Sequence, residues 1–432
     1  MMAGQSIVAP AAVGEWGLRR RRCRSGVCEV CCAATSSKPS VLIVGGTGRV
    51  GLSTARALLS SAGGDVAVTV ASRSQADFRA AIASSAELSG ASFREVDLDD
   101  RASLAAALAG QDLVIHCAGP FQRRDKCDVL EAALDAGVPL YLDVCDDTDY
   151  AQRAKGMHAR AQAAGMRAIT SGGIFPGVSN VMASEMVRQA TAKGRATPER
   201  LSFSYFTAGT GGAGPTILTT NLLLCAEDAL VLKDGAPLRL PPVSGRRVID
   251  FGKAGMREVF LYALPEVMTA HAVLGVPCIA ARFGTSPGIW NGAMAAMAAL
   301  VPRSVLQDPK AAAAIVRALD PLVRAVDTLV GETMAMRVDL EWSGASSTTA
   351  MSSRFVHRRL SKAVGTCVAA FARDLLEHRQ GASPGVFYPE EGVTDPGLLL
   401  QRASEGTTEF ALGKAPWQLE TKATQLGFGM YL

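Results

Sequence analysis

The 432-residue chain lacks a stretch able to span a bilayer: its longest apolar run, Ile289 to Val301, is interrupted by Asn291 and is too short. It also lacks a real excess of charge. Lysine and arginine total 44 against 40 acidic residues, but Arg19 to Arg22, Arg24 and Lys38 fall in the first 38 residues with only Glu15 and Glu29, leaving 38 groups of each sign in the rest. A balanced remainder gives no electrostatic footprint for nucleic acid or an anionic membrane. The cysteines lack metal-site spacing. Cys28-x-x-Cys31 has no second pair, and Cys117, Cys127, Cys145, Cys225, Cys278 and Cys367 are scattered as reduced thiols would be, so no metal is expected.

What the first 38 residues do hold is Arg, Ala, Val, Ser and Gly with little acid, the profile of a cleavable organelle transit peptide. Val30-Cys31-Cys32-Ala33-Ala34 offers small residues for cleavage, and the apolar runs are too short for a secretory signal. The expected destination is the plastid stroma, with the mitochondrial matrix as the alternative.

Past the leader, Val41-Leu42-Ile43-Val44 suits a strand buried on both faces, and Leu52 to Leu59 suits a helix packed on it. Between them Gly46-Thr47-Gly48-Arg49-Val50-Gly51 fits G-x-G-x-x-G. The first glycine would make the turn, the second would let backbone approach a pyrophosphate, and the third would let helix and strand pack. A second strand, Val66 to Ala71, ends in Ser72-Arg73-Ser74. An NAD site places a carboxylate there for the ribose hydroxyls. This chain has none, and Arg73 offers a guanidinium fork to a 2′-phosphate with Ser72 and Ser74 as hydroxyl donors, so NADP(H) is the expected cofactor.

The alternation continues. Asp77 to Ala86 reads as a helix and Ser92 to Asp97 as a strand whose Asp97 would bond the adenine amino group or cap the helix Arg101 to Ala109. The strand Leu113 to Ala118 leads into Gly119-Pro120, where Ala118, Gly119 and Pro120 would let backbone pass beneath the nicotinamide ribose. His116 reads as a buried, hydrogen-bonded residue. The strand Leu140 to Val144 carries Asp143 and is followed by Asp146, Asp147 and Asp149, which places four carboxylates within seven residues. Asp143, Asp146 and Asp147 are the candidate catalytic groups, polarising a substrate or donating a proton, and Asp146 or Asp147 would instead cap the helix Tyr150 to Ala164. The strand Arg167 to Thr170 precedes a turn through Phe175-Pro176-Gly177 expected to face the nicotinamide, with Gly177 allowing close ligand approach.

After Pro198 the strict alternation ends. Strands are expected at Leu201 to Thr207, Ala229 to Leu232, Arg247 to Phe251, Arg257 to Ala263, Pro277 to Phe283 and Met334 to Trp342, with a turn over 208–214 and helices at Pro215 to Cys225, Pro309 to Val330 and Leu360 to Glu377. Arg282-Phe283-Gly284 suggests a pocket, Trp290 core packing, and His357 and Arg358 solvated positions near a helix start.

Together these features resemble the saccharopine dehydrogenase-like family of NADP-binding oxidoreductases, in its plastid-targeted plant and algal form. The resemblance rests on Gly45 to Gly51, Ala118 to Phe121, Tyr141 to Asp147, Gly173 to Val178, Arg282 to Gly284 and Pro384 to Glu391. It implies an α/β architecture: a parallel-sheet Rossmann domain over residues 39–198, completed by 384–432, and an α+β substrate and dimerisation domain over 199–383. It implies hydride transfer to the C=N or activated C=C bond of a small molecule, with a homodimer as the expected assembly. Members that act on amino-acid imines tend to have Asp where Phe175 stands, so an amino-acid substrate is not implied. An NADPH-binding sensor with little turnover is a second reading, and an atypical extended short-chain dehydrogenase a third. The latter's Tyr-x-x-x-Lys acid is missing: the fourth residue after Tyr141, Tyr150, Tyr205, Tyr262 and Tyr388 is Cys145, Ala154, Gly209, Glu266 and Gly392, and Tyr431 lies at the end of the sequence.

Overall fold

Short apolar runs, each closed by small residues and followed by Ala/Leu-spaced segments, give the first part of the chain its regular alternation. A computed structural model describes residues 38–61, 65–122, 124–192, 197–208, 215–343 and 348–419. The expected leader lies outside them except for Lys38, as does the turn 209–214. The first elements are β1 (Ser40–Val44), α1 (Arg49–Ser61), β2 (Ala67–Ser72), α2 (Gln75–Ser84), β3 (Ser92–Glu95), α3 (Arg101–Leu108), β4 (Leu113–His116), α4 (Asp128–Asp135), β5 (Leu140–Asp143), α5 (Thr148–Gly156), α6 (His158–Ala164), β6 (Arg167–Ile169) and α7 (Val178–Thr191). The chain then runs through β7 (Thr197–Ala208), α8 (Pro215–Cys225), β8 (Ala229–Lys233), β9 (Ala236–Leu240), β10 (Ser244–Asp250), β11 (Met256–Leu261), α9 (Glu266–Leu274), β12 (Cys278–Ser286), α10 (Ile289–Leu300), α11 (Arg303–Leu306), α12 (Pro309–Val330), β13 (Thr333–Ser343) and β14 (Thr348–His357). It closes with α13 (Leu360–Glu377), β15 (Gly385–Phe387), α14 (Pro389–Gly392), α15 (Pro396–Ala403), β16 (Glu409–Lys414) and α16 (Pro416–Leu419).

Seven parallel strands, in the order β15-β6-β5-β4-β1-β2-β3, form a Rossmann sheet, as the sequence predicts. Val41 and Ile43 point to one face with Leu58 and Phe371, and Leu42 and Val44 to the other with Leu104 and Leu130, so both faces are dry. The second sheet is mixed, ordered β10-β11-β12-β7-β13-β14-β16, with the β8–β9 hairpin attached to β12. One of its faces carries Phe203, Tyr205, Met334, Met336 and Val338, which share a single apolar cluster with Val181 and Met186 of α7 and Val368 and Phe371 of α13. Each such fully buried side chain contributes about 1.5–3 kcal/mol. Helix α7 packs on β7, β13 and β16 of the mixed sheet and α13 on β4 and β5 of the parallel sheet, so one apolar cluster runs between the two sheets and the described residues from Lys38 onward form one unit.

Several expectations change. Helix α13, assigned by sequence to the second domain, packs on α1 so closely that a Cβ on Gly365 would lie 2.5 Å from the Ser53 carbonyl carbon. The C-terminal stretch divides: β15 extends the parallel sheet, whereas β16 pairs with β14. Helix α3 is capped by Asp100, which accepts from Ala102 and Ser103 N–H groups, so Asp97 is not its cap. The helix expected over Tyr150 to Ala164 breaks at Met157, just after Gly156. His357 is buried, not solvated, and its Nδ1 accepts from the Arg359 N–H at 2.9 Å. Trp290 stands half-exposed in the first turn of α10, outside the core.

Candidate functional site

The crossing of the first β-strand into α1 creates a crevice because the chain must turn sharply without side chains in the way. Gly45, at φ +75°, makes that turn; a Cβ there would sit 2.7 Å from Ala118 backbone. The left-handed residue is thus Gly45 and not Gly46. Gly46 and Gly51 act by packing: the Gly46 N–H donates to the Ala71 carbonyl at 3.0 Å, and a Cβ on Gly51 would fall 2.5 Å from the Gly46 Cα. What remains open is a crevice of about 560 Å³ along the carboxyl edge of the parallel sheet. Thr47, Gly48, Arg49 and Val50 line it at the start of α1, whose first turn holds no acidic side chain. Backbone N–H groups at a helix start of this kind suit a pyrophosphate.

At one end lie Ser72, Arg73 and Asp97. Arg73 is exposed and makes no hydrogen bond or ion pair with the described residues, which leaves its guanidinium available at the mouth of the crevice. Ser74 is committed elsewhere, its Oγ accepting from the Asp77 N–H at 3.2 Å as the cap of α2. Asp97 accepts from the Asp99 N–H at 3.1 Å and lines the crevice. At the other end Ala118, Gly119 and Pro120 face Ile174, Phe175, Pro176, Leu360 and Val364. Gly177 does not approach this space. A Cβ on it, at φ +132°, would fall 2.1 Å from the Gly173 carbonyl oxygen, so the glycine admits backbone rather than ligand.

The three candidate carboxylates separate by environment. Asp147 caps α5, accepting from the Tyr150 N–H at 2.7 Å. Asp143 is fully buried and ties the end of β5 to the end of β6: its Oδ1 accepts from the Ser171 N–H at 2.8 Å, the Thr170 hydroxyl at 3.0 Å and the Cys145 N–H at 3.1 Å. Burial outweighs these bonds and lifts its carboxyl to about 6. Asp146 alone lines the crevice, with Oδ1 accepting from the Gln122 amide at 2.9 Å. Burial, opposed by the Gln122 bond and helped by the charge of Asp147, raises it to about 6 as well. His116 is held neutral, driven down to about 3 by burial and then by Arg124, with Nδ1 at 3.3 Å from the Tyr141 hydroxyl.

A further acidic pair escaped the sequence reading. Glu266 at the start of α9 and Glu390 in α14 are buried between the sheets, and burial raises each to about 7. Glu390 Oε1 accepts from the Asn180 amide at 2.6 Å and the Thr269 hydroxyl at 2.7 Å, while the charges of Glu390 and Asp146 add to the rise at Glu266. Phe175 connects this region to the crevice, its ring stacked on Tyr205 at 4.6 Å. Only contacts more than a hundred residues apart in sequence reveal the pair, and nothing local marks Glu266.

A doubly wound parallel sheet with a glycine turn, an open helix start and a crevice of this size defines a dinucleotide-binding protein. Residues 41–169 match the family described as the saccharopine dehydrogenase NADP binding domain, so this part of the chain is a saccharopine dehydrogenase-like NADP-binding domain and its cofactor is NADP(H). Among solved structures, the apo saccharopine dehydrogenase (L-Glu forming) of Saccharomyces cerevisiae is similar at 14% identity over 84% of this chain and 96% of that chain, with a TM-score of 0.60. That likeness is one of fold, and it spans both sheets. A DAP dehydrogenase of C. glutamicum in complex with DAP aligns at 15% identity over 84% of this chain and 95% of that one, with a TM-score of 0.43. No curated protein matches the sequence. Among the described residues no helix is long and apolar enough to cross a membrane.

Proposed function

We propose that the protein is an NADP(H)-dependent oxidoreductase that reduces the C=N or activated C=C bond of a small molecule seated between Gly119-Pro120 and Phe175-Pro176. The observation that carries this reading is the position of Asp146, a half-buried carboxylate on the crevice wall raised to about 6, facing an otherwise largely apolar end. NADPH, when bound, supplies the hydride. The chain's own residues do the rest: the Gly48 to Val50 backbone receives the pyrophosphate, Arg73 and Ser72 the 2′-phosphate, and Asp97 the adenosine. Ala118, Gly119 and Pro120 shape the nicotinamide end. Asp146, held at Oδ1 by Gln122, delivers a proton from Oδ2 to the substrate atom next to the one that gains hydride, while Ile174, Phe175 and Leu360 exclude water. Asp143 and Asp147 position this loop.

With Phe175 where a carboxylate would engage an amino group, the pocket favours a neutral, apolar substrate. The test is NADPH oxidation by the protein without residues 1–38 across a panel of open-chain imines, cyclic imines and enals. Turnover of at least one class is expected; tight NADPH binding with no oxidation by any of them would replace the reductase with a sensor. We further propose import into plastids, supported by the basic, acid-poor composition of residues 1–38. A fluorescent fusion of that segment is expected in the stroma, and accumulation in mitochondria would overturn the assignment.

A further inference from the structure

The outer face of the mixed sheet carries a second concavity of about 230 Å³, which shares no lining residue with the crevice. Strand register places Arg282 of β12 beside Ser204 of β7, Ser204 beside Arg337 of β13, and Arg337 beside Arg354 of β14. Partners in register point to the same face, so three guanidiniums and a hydroxyl form one rung across the sheet. Two of the three are neutralised by the chain. Arg354 donates to Asp250 at 2.9 Å and to Glu409 at 3.4 Å, and the Arg337 Nε donates to both oxygens of Asp339 at 2.8 and 3.0 Å.

Arg282 has no such partner. It is 7% exposed, its Nε donates to the Gly245 carbonyl at 3.1 Å, and its two terminal nitrogens have no partner among the described residues. Arg247, on the same wall, makes no ion pair there either, and Glu341 on the far wall is taken by Arg200 at 3.1 Å. The two cations sense each other: burial, and then the charge of Arg247, pushes the Arg282 guanidinium down to about 10. Ser202 and Ser204 add hydroxyls without hydrogen-bond partners among the described residues. Asp339 and Glu341 also line the concavity, but each is engaged by another arginine, and a guanidinium buried beside a second cation with open donors and no carboxylate bonded to it is unfavourable until an anion joins it.

We propose that this concavity binds a small oxyanion, the phosphate or carboxylate group of a small molecule, through the fork of Arg282, the charge of Arg247 and the hydroxyls of Ser202 and Ser204. The planar fork suits two oxygens of one group. Calorimetry on the NADPH-saturated protein, which keeps the Arg73 end of the crevice filled, tests this with inorganic phosphate and succinate as probes. One saturable site per chain is expected for at least one of them. Arg282→Gln and Arg247→Gln should each weaken it at least tenfold with NADPH affinity unchanged, and Arg282→Lys should fall between wild type and Arg282→Gln. Because Arg247 is exposed, its variant folds whatever happens at position 282. Absence of saturable heat with both probes, or equal binding in wild type and Arg247→Gln, overturns the site. A dimer that Arg247→Gln splits, with no phosphate or succinate heat in wild type, would assign these guanidiniums to a second copy and overturn it too.

Discussion

The region at the carboxyl edge of the parallel sheet and the outer face of the mixed sheet treat buried charge in opposite ways. The first gathers carboxylates, and burial raises Asp143 and Asp146 to about 6 and nearby Glu266 and Glu390 to about 7. The second gathers guanidiniums, two of which are matched by the chain's own acids. An acid responds to burial by keeping its proton, which it can later give away; a guanidinium has no neutral form within reach and must find an anion. Proton chemistry and anion binding therefore fall to different surfaces of one molecule.

That contrast can be broken at the acidic end first. Asp146→Asn is expected to lower kcat about 10²–10⁴-fold, measured by NADPH oxidation, with NADPH affinity preserved. As a proton donor Asp146 must be protonated, so the wild-type reduction rate should fall as pH rises through about 6. A flat profile from pH 5 to 8 would remove it from the chemistry. Next in size, Arg73→Ala is expected to weaken NADPH binding about 10–100-fold, the loss of charge-assisted bonds of about 1.5–3 kcal/mol, with NADH affinity unchanged by fluorescence titration.

Glu266→Gln sharpens the comparison through stability. Burial lifts its carboxyl from 4.5 to about 7 in the folded chain. The unfolded chain ionises first, so the folded state holds the extra proton across that window and loses stability as pH rises through it. Urea titrations should show the variant gaining on wild type by roughly 1–3 kcal/mol between pH 4.5 and pH 8. The smallest effect is expected for Asp147→Ala, about 1 kcal/mol from loss of the α5 cap with kcat little changed. A large fall in kcat there would merge the two aspartates' roles.

The parallel sheet was legible because each of its signals is local. Val41 to Gly51 spells strand, turn and helix in one stretch, and Ser72-Arg73 lies at the end of the neighbouring strand. The mixed sheet was harder to read. In β14 Ser352, Ser353, Arg354 and Phe355 are all buried, so neither polarity nor alternation marks the inner face, and β16 is short and contains Gly413. The aspartates show the same limit. Asp143, Asp146 and Asp147 are equivalent as a string; only β6, which brings Thr170 and Ser171 to Asp143, and Gln122, which reaches Asp146, tell them apart. Glu266 and Glu390 meet only after the chain has folded back on itself.

Helix α13, late in the chain, covers α1 and one face of the parallel sheet, and this has a consequence for synthesis. A ribosome releases the glycine turn early, yet Leu360, Ser361 and Val364 of the crevice wall and the edge strand β15 emerge more than three hundred residues later. The nucleotide pocket is finished only after β15 has been made, and a fragment stopping at residue 198 would leave the apolar flanks of α1 and α7 bare to water. Such a fragment is a candidate for chaperone capture rather than a minimal cofactor module.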